Sequence, residues 1–107
     1  MAYVPKRFYS GQPTTGDTVL ATAAGATGWI VKQIVLTNTD TVTKTITIGF
    51  PAGAALAASN HVVSALSIAA KGIVVIDMSV PLTTGETIRG LQETATAITV
   101  KIVGVEY

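Results

Sequence analysis

The chain reads as an all-β protein, a two-sheet antiparallel β-sandwich of about eight strands, of jelly-roll or immunoglobulin-like type. Three observations lead there. β-Branched residues dominate, with 17 threonines, 13 valines and 10 isoleucines in 107 residues, and such side chains suit a pleated, half-buried surface. Gly, Pro and Asn/Asp turn signals recur about every ten residues, the rhythm of short strands in sandwiches and barrels. Apolar and polar residues also alternate with a period of two, most cleanly where Ile46, Ile48 and Phe50 face one way and Thr43, Thr45 and Thr47 the other.

The elements follow in order. Lys6–Gly11 is a short first strand, and GQPTTGD is a loop. Asp17–Ala23 is the second strand, closed by AAGATG. Gly28–Thr37 (GWIVKQIVLT) is the strongest strand, and NTDT turns it back into Val42–Phe50 as a hairpin. PAGAALAASN breaks the pattern as a loop, with alanines able to form one helical turn. Val62–Ile68 leads through AAKG to Gly72–Met78, VPLTTG is a turn or edge segment, and Glu86–Gln92 and Ala97–Val105 complete the set.

Parity adds one expectation. In Trp29–Thr37 the residues Trp29, Val31 and Val35 alternate with Ile30, Ile34 and Leu36, so both faces are apolar. Gly72–Met78 and Ala97–Val105 behave alike. An antiparallel strand of a solitary sandwich needs only one dry face, so the second is covered either by a loop such as PAGAALAASN or by another subunit.

Composition narrows the function classes. At 107 residues the chain is a single domain, residues 1–107, large enough to bury a core without staples. With no cysteine it has no disulfide, thiolate metal site or thiol nucleophile. The net charge of +1, on scattered cations, provides no field for nucleic acid or an anionic membrane. No apolar run reaches the ~18 residues of a membrane span, and MAYVPKRFYSG has no apolar stretch of a secretory signal. Charged residues make up 12% of the chain, about half the usual share. Such a neutral, threonine-rich skin is cheap to desolvate and suits contact with neighbours.

Reactive constellations are missing from the pattern. His61 is the single histidine and has no carboxylate or serine partner in register, so neither a Ser–His–Asp set nor a metal site can be read around it. The six carboxylates are isolated, and GETIRG and AAGATG lack both the phosphate-loop lysine and the dinucleotide spacing. The expectation is a non-enzyme without cofactor or metal. The one local concentration is the N-terminus, where Tyr3, Phe8 and Tyr9 accompany Lys6 and Arg7. Residues 1–11 read either as a docking arm, since aromatics and Arg anchor interfaces, or as a first strand of the domain. Trp29 is a further docking or sugar-stacking candidate beside its more ordinary role in a core or interface.

PKRFYSGQ, AGATGWIVKQIVLTNTD, LSIAAKGIVVIDMSVPLTTGETIRG and AITVKIVGVEY together resemble small structural proteins of tailed bacteriophages and prophages. The likeness spans most of the chain and rests on turns and strands. It implies a non-enzymatic virion component made in the bacterial host cytoplasm. Most simply this is a head decoration protein that binds the major capsid protein and copies of itself in a symmetric, three-fold assembly. The alternative is a tail, baseplate or fibre module that binds host-surface carbohydrate through Trp29 or an exposed tyrosine. Tyr3, Lys6, Arg7, Phe8 and Tyr9 are the expected docking residues, with neither nucleic acid nor membrane as partner.

Overall fold

The computed structural model describes residues 3–51 and 55–107. Its strands are β1 Val4–Gly11, β2 Thr18–Thr22, β3 Gly28–Asn38, β4 Lys44–Gly49, β5 His61–Ile68, β6 Ile73–Thr83, β7 Thr87–Gln92 and β8 Ile98–Glu106. They form two four-stranded sheets, ordered β1-β8-β3-β6 and β2-β7-β4-β5, with antiparallel pairing throughout. The expected two-sheet sandwich is therefore what the chain forms.

The order has a simple origin. β1 pairs with β8, β2 with β7, β3 with β6 and β4 with β5, so the chain is one long ribbon doubled back between β4 and β5. Successive rungs of the ribbon alternate between the sheets, and rolling it up sets β8 beside β3 and β7 beside β4. This is jelly-roll topology, not the seven-strand immunoglobulin arrangement. Between the sheets lie Val31, Ile34, Leu36, Ile46, Ile48, Ile88, Ile98, Val100 and Ile102, all at most 1% exposed. Each such side chain contributes about 1.5–3 kcal/mol relative to exposure.

The register of β3 corrects the parity expectation. Its register slips between Val31 and Gln33: against β8, Lys32 is the extra residue of a β-bulge, whereas against β6 the extra residue is on β6, where Met78 and Ser79 stand opposite Lys32. Trp29 and Val31 face the core before the bulge, and Ile34, Leu36 and Asn38 face it afterwards. What reads as a strand apolar on both faces is two half-strands of opposite phase. β8 alternates without interruption, its outward row being Thr99, Lys101, Val103 and Val105. On β6 the even residues lean on the core, whereas Ile73 and Val75 stand 64% and 54% exposed.

The connections differ from expectation for related reasons. β3 and β4 do not form a hairpin; they lie in different sheets, and residues 39–43 cross between them. Asn38, fully buried, holds that crossing: its Nδ2 donates to the Val42 and Ile68 carbonyls, each at 2.9 Å, and its Oδ1 accepts from the Asp40 N–H at 2.9 Å. Gln92 does the same for the β1–β2 and β7–β8 connections. Its Nε2 donates to the Pro13 carbonyl at 2.8 Å and its Oε1 accepts from the Ile98 N–H at 2.7 Å. Among the described residues no buried side-chain polar atom lacks a partner, as a low-dielectric interior requires.

Of VPLTTG, residues 80–83 are the edge segment, as the end of the outermost strand β6, and only Thr84 and Gly85 turn. Pro81 is tolerated there since β6 is the outermost strand of its sheet. Of the PAGAALAASN loop, residues 52–54 lie outside the described residues. Its later part contains a 3-10 turn at Ala58–Asn60, and Leu56 lies so close over Gly49 that a Cβ there would stand 2.6 Å from Leu56 Cδ2. The loop thus covers one end of the outer face of β4. The alternating threonines of residues 37–47 divide between solvent and local bonding. Thr39 Oγ1 donates to the Ala97 carbonyl at 2.8 Å, and the buried Thr47 Oγ1 accepts from the N–H of Ala65, at 3.0 Å, where β5 is bulged.

Candidate docking surface

Residues 4–11 are a strand, paired along β8 from Val4–Glu106 to Gly11–Val100. The arm-or-strand alternative therefore resolves to the strand. The register slips between Arg7 and Tyr9, and this bulge sorts the candidate residues. Pro5 and Arg7 pair with Val105 and Val103 on the outer face. Phe8 and Tyr9, adjacent in sequence, both pack against the core. Burial of the Tyr9 phenol pushes its pKa up.

Trp29 is only 5% exposed. Its ring stacks on Phe8 with centroids 3.9 Å apart and planes 7° from parallel, and its Nε1–H donates to Glu106 Oε1 at 2.9 Å. The Lys6 ammonium lies 3.1 Å from the same oxygen. The indole bond first, and Lys6 second, hold the Glu106 carboxyl below its usual range. Of the six candidates, Trp29 is a core residue and corrects the docking and sugar-stacking expectation placed on it. Phe8 and Tyr9 are half-buried supports. Tyr3 is 65% exposed at the start of β1, edge-on to Tyr107 at 5.4 Å.

Lys6 and Arg7 alternate to opposite faces of β1, Lys6 level with Gly104 on the Trp29 side and Arg7 level with Val103 on the outer side. With Pro5, Lys32, Val103 and Gly104 they line an open groove of about 420 Å³ on the outer side of the β1-β8-β3-β6 sheet. Lys6 is engaged with Glu106, and Lys32 Nζ donates to Ser79 Oγ at 3.1 Å. Arg7 has no hydrogen bond or ion pair among the described residues. Its exposed guanidinium stands beside apolar Val103 and Pro5. Four of the seven cationic residues lie on strands of this sheet, against two of the six carboxylates. One of those two is Glu106; the other, Asp77, accepts from Gln33 Nε2 at 2.9 Å at the far side of the sheet. Of these cations Arg7 is the one that offers an unpaired charge in the groove.

Sequence reasoning missed Lys32 and Val103. Lys32 is 25 residues from Arg7 in number; alternation with the core-facing Trp29 and Val31 turns it outward, but nothing in the local sequence marks the strand order that sets β3 two places from β1. On the opposite sheet, Asp17 accepts from Arg89 Nε at 2.8 Å and from the Leu56 N–H at 3.1 Å. The Arg89 bond is the main reason its carboxyl lies below the usual range.

His61 lies on β5 and, against the sequence expectation, does meet a serine, its Nδ1 lying 3.1 Å from Ser64 Oγ, three residues on along the same bulged strand. Among the described residues no group of three His, Asp or Glu side chains is gathered as for a metal ion, and no helix is long and apolar enough to cross a membrane. No protein-family model, curated protein or solved structure matches the chain.

Proposed function

We propose that this chain is a structural docking protein of a tailed-phage particle, a head decoration subunit that binds an acidic patch of the shell through the groove around Arg7. The observation that carries the docking surface is Arg7, an unpartnered guanidinium beside Val103 and Pro5 in a groove that Lys32 also lines. An Arg over an apolar floor is a strong interface anchor, because its planar fork bonds a carboxylate in two places while its stem covers apolar surface. A few cations are too few for tight phosphate-backbone binding, which scales with the number of contacts. An acidic protein surface suits the groove better. The placement in a phage rests on the sequence resemblance; jelly rolls serve in viral shells but also in lectins and enzymes.

The role is mechanical. Each copy bridges neighbouring shell subunits, and a contact of a few hundred Å² of apolar area supplies several kcal/mol at ~25 cal/mol per Å², before the costs of association. Co-sedimentation with shells purified from a particle lacking the protein tests this reading. Wild type binds and is released by salt. Arg7→Glu with Lys32→Glu abolishes binding while the melting temperature stays near that of wild type. Failure of the wild-type chain to bind shells, or binding unchanged in the double variant, refutes it.

A further inference from the structure

We propose that β6 is a self-pairing edge. Through it two copies of this chain join their β1-β8-β3-β6 sheets into one continuous eight-stranded sheet, with Val74 on a two-fold axis perpendicular to it. The inference stands on the edge strand itself and does not rest on the docking reading. β6 is outermost and pairs only with β3. Exposed edges are ordinarily blunted by proline, bulges or charge, because their free backbone groups recruit other strands. The second half of β6 has all three, in Asp77, the irregular register opposite Lys32, and Pro81. The first half has none. Ile73–Ile76 is four β-branched apolar residues in succession, and Ile73 and Val75 are 64% and 54% exposed.

The charge pattern selects a second copy as the occupant. Antiparallel pairing about Val74 sets each residue opposite one equally far beyond it. Ile73 meets the partner's Val75, and Lys71 meets the partner's Asp77, twice over by symmetry. Ile73, Val75 and Asp77 lie on the outer face of the sheet. Lys71, in the turn before the strand, is exposed, its Nζ donating to the Thr39 carbonyl at 2.7 Å. Two Ile–Val contacts therefore form one apolar stripe closed at each end by an opposite-charge pair. Moving the centre by half a residue along the strand puts core-facing residues opposite outward ones, and moving it by a whole residue separates Lys71 from Asp77. Cross-strand pairs of these kinds contribute roughly 0.2–1 kcal/mol each.

The contact is shorter than a standard interface, which buries about 1,200 Å² or more, so the pairing is weak and appears at high protein concentration. Its symmetry is two-fold, in place of the three-fold arrangement expected from the sequence. Both outer faces point the same way in the pair. The two Arg7 grooves then lie about seven strand spacings apart, roughly 34 Å at ~4.8 Å per strand.

Analytical ultracentrifugation of the full chain, from micromolar to near-millimolar concentration, tests the proposal. The mass rises from that of one chain toward twice that value. Val75→Lys, at an exposed side chain, weakens association at least tenfold with an unchanged circular-dichroism spectrum and melting temperature. Lys71→Asp and Asp77→Lys each weaken it alone, and mixing the two single variants restores it, since both end pairs are then opposite in sign. A chain monomeric at every concentration, a limiting mass of three chains, or Val75→Lys associating like wild type overturns the proposal. A mixture no stronger than its parents overturns the register.

Discussion

Phe8 and Trp29 stack face to face although their strands are not neighbours: β8 runs between β1 and β3. The gap that admits the stack is Gly104, which lies in register with both Lys6 and Val31. A Cβ at Gly104 would stand 2.7 Å from Phe8 Cε2 and would also meet the Ile30 carbonyl. Gly104→Ala is therefore an overpacking change that presses first on the Ile30 carbonyl of β3 and then on the Phe8 ring. It is expected to cost about 1–3 kcal/mol, read from urea unfolding, and to red-shift the Trp29 emission. A variant with wild-type stability and emission would show that the stack does not depend on this glycine.

Stability should fall in acid through two identified carboxylates. Glu106 is held below its usual pKa by the Trp29 indole and Lys6, and Asp17 by Arg89. A carboxyl whose native pKa is depressed stabilises the fold fully above its unfolded pKa and loses that contribution as pH drops through the native value. The urea midpoint is thus expected to be level near neutrality and to decline below about pH 4. Glu106→Gln with Asp17→Asn should start lower and show a flatter decline. An unchanged slope in the double variant would assign the acid sensitivity elsewhere.

Two glutamines of opposite character provide an internal control. Gln92 is 1% exposed and bonds the Pro13 and Ile98 backbones, whereas Gln12 is exposed and bonds the Thr96 carbonyl at 3.0 Å. Gln92→Ala orphans buried backbone groups at about 1–3 kcal/mol each. Gln12→Ala is expected within about 0.5 kcal/mol of wild type. Equal effects on the unfolding free energy would contradict the clamp assigned to Gln92.

Deleting residues 1–9 should not yield a folded protein that merely lacks a binding arm. It removes most of β1, unpairs one edge of β8 and uncovers Trp29. The truncated chain is expected to lose its cooperative melt and to bind a hydrophobic dye, while Arg7→Ala melts like the parent. A sharp transition in the truncation would mean that β1 is dispensable.

The strands were legible because β-branched residues and turn signals are local. The Ile46/Ile48 alternation in β4 and the Ala97–Val105 segment, observed as Ile98–Glu106, are read correctly from period alone. Sheet membership was not legible. Asn38–Asp40 looks like a hairpin turn by composition, yet its side chain serves two crossings that meet only in three dimensions. The bulge at Lys32 was hidden too, since one extra residue inverts the apparent phase of every position after it. The surface site suffered most. Lys6 and Arg7 stood out beside aromatics, but the aromatics turned inward at a second bulge, and Lys32 joined Arg7 from another strand.

The placement of β8 between β1 and β3 also bears on how the molecule assembles in time. Val4 finds its partner at Glu106, so the widest loop closures in the chain precede completion of that sheet. Topologies dominated by such distant pairings fold in milliseconds to seconds, not microseconds. A nascent chain with β3 and β6 already emerged exposes an unzipped seam until β8 arrives, and during that interval the apolar edges are free to find strands on neighbouring chains.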